Sequence, residues 1–174
     1  IPDSLTHEFK TAHGRTVRDG GGITPDVTIE GHDYSRLTYS LVYSGIIQEY
    51  ALDYVREHAD ADEDFHLADK DWDGFVAFAK TKEFDYRSSA KTYFDRMKKE
   101  LEKDGLSKNM SAELDALQKA LEMDKETFLK LKKDEIVPFI EEEIAVRYHF
   151  QEAGIKIRLR YDDQLKKALA SPMI

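Results

Sequence analysis

Phe9-Lys10-Thr11-Ala12-His13-Gly14-Arg15-Thr16-Val17-Arg18-Asp19-Gly20-Gly21-Gly22-Ile23-Thr24-Pro25-Asp26-Val27 is the stretch whose reading divides the chain into two parts. Phe9, Thr11, Thr16 and Val17 have strand-type side chains, and His13-Gly14 between them is a turn signal, so two short strands are expected. Asp19 to Gly22 then offers a reversal in which positive φ costs little. From Ile23 to Ile29 apolar and polar residues alternate with period two, and Pro25, which donates no amide hydrogen, places that run at a sheet edge or a strand start. A phosphate cradle is not indicated. The glycine spacing matches neither the dinucleotide nor the Walker pattern, and no helix start with a Lys follows.

Beyond Glu30-Gly31-His32 the periodicity changes from two to helical. The expected fold is therefore mainly α, with a short β-strand segment at the N-terminus (1–32) followed by a helical domain (33–174). Leu37, Leu41, Ile46, Tyr50 and Val55 share a stripe on a helix from about Ser35 to His58, with Gly45 as its weak point. Five tyrosines, Tyr34, Tyr39, Tyr43, Tyr50 and Tyr54, make it rich in aromatic side chains, which read as core packing with hydroxyls at the rim. Ala59 to Asp64 is an acidic connector, expected to be a solvated loop. Further helices are expected from Asp71 to Lys82, burying Trp72, Phe75, Val76 and Phe78, and from Tyr86 to Lys103, ending at Gly105.

Met110, Leu114, Leu117 and Leu121 then mark an amphipathic helix over Ser107 to Glu122. Ile136, Ile140, Ile144 and Tyr148 fall at four-residue steps on a long segment from Lys125 to Ala153. Pro138 removes one helical hydrogen bond there, so a kink near residues 134 to 138, or two helices meeting there, is expected, with Gly154 ending the run. Ile155 to Tyr161 alternates with period two and reads equally as strand or helix, and Asp162 or Asp163 caps a last helix through Ala168.

Composition sets the outer limits. A chain of 174 residues with 41% hydrophobic residues can build a core, and no apolar run approaches a membrane-spanning length. With 35 acidic against 26 basic residues the net charge is −9, which opposes the phosphate neutralisation that nucleic-acid binding requires. The absence of cysteine removes disulfides, thiolate metal sites and a cysteine nucleophile from consideration.

The string Phe-Lys-Thr-x-x-Gly-Arg-x-Val followed by Gly-Gly-Ile-x-Pro-Asp-Val resembles the segment closing the catalytic domain of carboxy-terminal processing proteases, also called tail-specific proteases. Phe9, Thr11, Gly14, Arg15, Gly22, Ile23, Pro25 and Asp26 occupy the motif positions. Phe84-Asp85-Tyr86 and Glu143-Ile144-Ala145-Val146-Arg147-Tyr148 are similar to the long helical tail of envelope members of that family. The resemblance implies a serine endopeptidase with a Ser-Lys pair and usually a PDZ domain, acting on envelope proteins in the bacterial periplasm. It also implies that residues 1–32 are terminal strands of an α/β protease domain.

In that family the nucleophilic Ser and the Lys that serves as its base lie ahead of the Gly-Arg segment. Ile1-Pro2-Asp3-Ser4 has neither an initiator Met nor the features of a signal peptide, so the chain is expected to be a carboxy-terminal fragment without catalytic residues of its own. No cofactor is implied. The partners implied are the rest of the parent chain and the protein substrates of the parent. A homo-oligomer formed through unsatisfied strand edges is also expected.

Three constellations suggest other chemistry. Asp69-Lys70-Asp71-Trp72-Asp73-Gly74 opens like a calcium loop, but its twelfth position is Lys80, an ammonium where the ion needs carboxylate oxygens. The segment instead reads as a helix start capped by Asp69 or Asp71. Ser88-Ser89-Ala90-Lys91 matches S-x-x-K without the Ser-Asp-Asn and Lys-Thr-Gly partners of that signature, and also reads as a helix start. Glu141-Glu142-Glu143 with His149 does not converge on one ion, because consecutive helical residues point around the circumference; the glutamates read as surface solvation. Two function classes remain: a non-catalytic scaffold or interaction region of a Ser-Lys processing protease, and an independent helical protein-interaction module. An independent module would bury Phe9 to Ile29 against its own helices, whereas a protease fragment would leave the sheet edges open.

Overall fold

The computed structural model describes residues 5–20, 27–31 and 33–171 and divides the chain into two compact units, Ile1–His32 and Asp33–Ile174. In the first, β1 (Glu8–Lys10) pairs antiparallel with β2 (Thr16–Arg18), with Phe9 opposite Val17. The turn explains the residues that close it. Gly14 sits at φ +81° and donates its N–H to the Thr11 carbonyl at 2.9 Å, while the Arg15 N–H is received by the Thr11 hydroxyl at 3.2 Å. The left-handed conformation favours glycine, and the hydroxyl takes up an amide that the turn leaves free. Of the strand expected over Ile23 to Ile29, Ile23 to Asp26 lie outside the described residues, as do Gly21 and Gly22; Val27 to Ile29 form no strand.

The second unit is helical. α1 (Arg36–Tyr43) and α2 (Ile46–Glu57) replace the expected single helix because the chain turns at Gly45, at φ +75°. Then follow α3 (Asp69–Lys80), α4 (Ser89–Lys103), a one-turn 3-10 segment (Ser107–Met110), α5 (Ser111–Leu121), α6 (Lys125–Leu131), α7 (Lys133–Tyr161) and α8 (Asp163–Ala170). Side-chain oxygens of Ser35, Ser88, Asp124 and Asp162 cap α1, α4, α6 and α8, each accepting an N–H three residues on. At α3 the cap is Ala68, so Asp69 and Asp71 are not caps; both lie in the first turn, where a carboxylate still favours the positive helix end.

The main core joins Leu37 and Leu41 of α1, Ile47 and Ala51 of α2, Phe75 of α3, Leu129 of α6, and Ile136, Ile140 and Ile144 of α7. The isoleucines at four-residue steps are wholly buried, as their spacing requires. Tyr50 and Tyr54 are buried too, Tyr50 donating its hydroxyl to the Asp71 carbonyl at 2.6 Å, whereas Tyr39 and Tyr43 stack on each other in solvent. α4 and α5 pair with each other and bury little besides Phe94 and Leu114; Met110 and Leu117 of the expected stripe are exposed. Among the described residues no helix is long and apolar enough to cross a membrane.

The C-terminal region departs most from expectation. Two helices meet at Lys132, just ahead of the expected window, and α7 runs through Pro138 with helical dihedrals. Pro138 is only the sixth residue of α7, so the amide bond it deletes lies close to an end where several are missing anyway. The sharp break comes later, at His149 (φ −126°, ψ 17°) and Phe150 (φ 62°, ψ −170°). Gly154 does not end the helix; it is buried within the second half of α7, which makes Ile155 to Tyr161 helical.

The two halves of α7, 133–148 and 151–161, fold back on each other about Phe150. Ala145, Ala153 and Ile157 form a small cluster separate from the main core. A Cβ on Gly154 would meet Val146 Cγ2 at 2.5 Å, so glycine is what permits this approach. Phe150 lies in a region of φ/ψ that is essentially reserved for glycine, at a cost of about 1–3 kcal/mol.

Two outcomes follow. Ala is the better helix former by about 1 kcal/mol, yet Gly154→Ala is expected to lower stability by about 1 kcal/mol through the clash with Val146, and Val146→Ala in the same chain to restore it. Urea unfolding of the single and double variants measures both. Glu135 at the start of α7 is partly buried, which opposes its ionisation. Lys132 at 2.6 Å, the Ser35 N–H at 2.8 Å and the Thr38 hydroxyl at 2.9 Å outweigh this and bring its pKa from 4.5 to about 2. The stability it contributes is present above pH 4.5 and lost as pH falls towards 2. Glu135→Gln is expected to flatten that part of the pH–stability curve, measured by urea midpoints at pH 6 and pH 3.

Candidate functional site

The seam between α2 and α7 carries the string Glu143 to Tyr148. Arg147 pairs with Glu143 one turn back and crosses to the Gln48 carbonyl of α2 at 3.1 Å, while Gln48 Nε2 donates to Glu143 at 3.3 Å. Tyr148 donates its hydroxyl to the His58 carbonyl at 2.7 Å, and His149 Nε2 bonds the Ala61 carbonyl. These residues therefore bind α7 to α2 and to the connector that follows it.

Glu141 is not at the surface. It is 2% exposed, and each carboxylate oxygen has its own partners. Oε1 accepts the Leu67 N–H at 2.9 Å; Oε2 accepts from Arg160 Nη1 at 3.0 Å and from the Tyr161 hydroxyl at 2.8 Å. Arg160 also donates to the Phe65 carbonyl at 2.8 Å and pairs with Asp64. Burial and the hydrogen bond to Glu141 raise the Tyr161 hydroxyl pKa to about 12. One carboxylate thus ties together both halves of α7 and residues 64–67. The connector is charged, as expected, but held, with Glu63 paired to Lys156 at 2.9 Å. Beside it Arg158 reaches Glu142 at 3.2 Å. The sequence held a signal for this. Glu141 and Glu142 lie nearly as far before Phe150 as Arg158 and Arg160 lie after it, with Ala145, Ala153 and Gly154 between.

The second feature is a cleft of about 660 Å³ between the 84–88 strap, α4 and the α5–α6 connection. Phe84, Tyr86, Met123 and Phe128 give it apolar lining, and Arg87, Lys91, Asp95 and Asp124 give it charge. The strap is the Phe84-Asp85-Tyr86 string. Asp85 accepts from Arg36 at 2.8 Å and its N–H is received by the Ser40 hydroxyl at 3.0 Å, while Lys125 lies 4.7 Å over the Phe84 ring. The Arg87 N–H, against a burial effect of opposite sign, holds the Asp85 carboxyl below its usual range, with Arg36 adding to this. The cleft falls within the size range of ligand sites and presents apolar surface between paired charges.

The remaining candidates resolve by placement. Asp69, Asp71 and Asp73 lie on helix α3, not in a loop, and Asp69 pairs with Lys133 at 2.7 Å. Ser88 caps α4 by accepting the Lys91 N–H at 3.1 Å, while Lys91 Nζ pairs with Asp95 at 2.8 Å, so both are engaged away from Ser-Lys chemistry. Phe9, Thr11, Gly14 and Arg15 lie on the exposed hairpin of the first unit; Gly22, Ile23, Pro25 and Asp26 lie outside the described residues.

The helical unit as a whole is a known kind of module. The model of the family described as probable PDZ-protease, C-terminal helical domain, matches residues 37–171, and the chain belongs to that family. No curated protein and no solved structure matches the chain.

Arg160→Met is expected to destabilise the fold by about 3 kcal/mol, because it leaves the Glu141 carboxylate buried without its cation. Adding Glu141→Gln is expected to recover part of that loss. Urea unfolding of the two variants and the double variant measures the coupling.

Proposed function

We propose that this chain is the carboxy-terminal region of a carboxy-terminal processing serine endopeptidase of the Ser-Lys type, acting on envelope proteins in the bacterial periplasm. Its own part in that enzyme is non-catalytic: the hairpin region completes the protease domain, and the helical unit is a scaffold for neighbouring chain, substrate or subunits. The observation that carries the reading is the order of two independent features. A Gly-Arg hairpin with the Phe9, Thr11, Gly14 and Arg15 pattern stands directly ahead of a helical domain whose family is that of probable PDZ-proteases.

The exposure of the hairpin supports the same reading. Phe9 is 54% and Val17 38% exposed, and among the described residues β1 and β2 pair only with each other. An apolar cross-strand pair in solvent, on a two-stranded ribbon too small to be stable alone, fits a segment that finishes a larger sheet. In this reading the nucleophile and its general base belong to the parent chain ahead of Phe9.

A peptidase assay with an unstructured substrate of free carboxyl terminus is expected to show activity only for a version extended upstream through the family's Ser and Lys, and none for the chain alone. Activity of the chain alone would overturn the assignment. In the extended version Gly14→Val is expected to lower kcat/KM at least about tenfold, since a β-branched residue at φ +81° is strained and would displace the Arg15 turn.

A further inference from the structure

The geometry points to a second copy of this chain as a partner of α7: we propose that residues 151–171 exchange between two copies, with α7 straightening at His149-Phe150 into one continuous helix. This goes beyond the protease reading and rests on the helical unit alone. Phe150 is 81% exposed, so nothing in its packing compensates for its glycine-type backbone conformation. The backbone on either side is helical, and the link between the halves is only His149 and Phe150. A short strained hinge between two helices is the arrangement that favours exchange, because the continuous helix relieves the strain.

Two further observations make exchange, and not mere opening, the outcome. Ala145, Ala153 and Ile157 form a cluster apart from the main core, so withdrawing residues 151–171 leaves that core intact. Opening in a single copy would nevertheless strip Arg160 and Tyr161 from the Glu141 carboxylate and bare Ala145, Ala153 and Ile157 to water, losing both sets of contacts without return. In an exchanged dimer Arg160 and Tyr161 of the second copy restore those contacts, and every closed interaction except the hinge is kept. The hairpin turn then costs strain that the dimer does not bear.

The test uses the whole chain, which has no cysteine of its own. Val146→Cys and Gly154→Cys, placed where a Cβ built on Gly154 comes 2.5 Å from Val146 Cγ2 and so within the roughly 4 Å between Cβ atoms that a disulfide spans, close a disulfide within one chain in the folded-back form and between two chains in the exchanged form. After refolding at high protein concentration, light scattering is expected to find a dimer, and the oxidised double variant is expected to run as a covalent dimer on a non-reducing gel. Phe150→Gly removes the strain and is expected to weaken the dimer at least about tenfold, whereas Phe150→Ala keeps the strain and dimerises like the parent. Three results would each overturn the proposal: monomer at every concentration, a dimer whose disulfides lie only within chains (pairing by hairpin edges, for instance), or equal behaviour of the Gly and Ala variants. Both variants replace an exposed side chain, and circular dichroism checks that each remains folded.

Discussion

A single buried carboxylate organises the C-terminal part of this molecule. Glu141 has almost no access to water, so it must find in the protein every hydrogen bond it gives up on folding. It does so by drawing in the Leu67 N–H from one stretch and the Arg160 guanidinium and Tyr161 hydroxyl from another far from it in sequence. That requirement fixes where the second half of α7 lies and holds the 64–67 connector against it. A folded-back α7 needs Arg160 at Glu141, and Arg160 at Glu141 needs the turn at Phe150. The turn in turn needs a close approach that Gly154 and two alanines supply.

The rest of the helical unit follows more ordinary rules. Isoleucines at four-residue steps on α7 pack with leucines and aromatics of α1, α2, α3 and α6, while the Glu143-Arg147-Gln48 contacts lock the seam between α2 and α7. α4 and α5 stand somewhat apart, leaving beside them a cleft floored by the Phe84-Asp85-Tyr86 strap. Both strings that resemble a protease tail therefore have a structural purpose, one in the seam and one in the strap. At both places charged groups hold elements of the helical unit together, Arg36 to Asp85 at the strap and Arg147 to Glu143 at the seam.

Much of this was legible from local chemistry. Caps at Ser35, Ser88, Asp124 and Asp162, the left-handed Gly105 after α4, and the isoleucine stripe are features whose physical cause lies within a few residues. The Thr-x-x-Gly-Arg turn is of the same kind, because Thr11, Gly14 and Arg15 satisfy one another. Errors arose where a residue's neighbours come from elsewhere. Three consecutive glutamates look like a solvated face until residues twenty further on cover one of them. Gly154 looks like a helix end until a facing helix requires its missing Cβ. Ile155 to Tyr161 alternates like a strand, yet on a helix the same residues put Ile157 inward and Arg160 and Tyr161 over Glu141.

By itself, then, the sequence determined a mainly helical chain with a β-hairpin at its head, a change of periodicity after His32, the starts of α1, α6 and α8, and no cysteine chemistry. Each of these depends on period, propensity or composition, which act over a turn or two. Only the tertiary structure decided that α7 doubles back at Phe150, that Glu141 is a buried centre, and that Pro138 sits harmlessly near a helix start. The reason is that backbone strain and charge burial are tolerated or refused according to what packs against them, and that is set by contacts between residues distant in the chain.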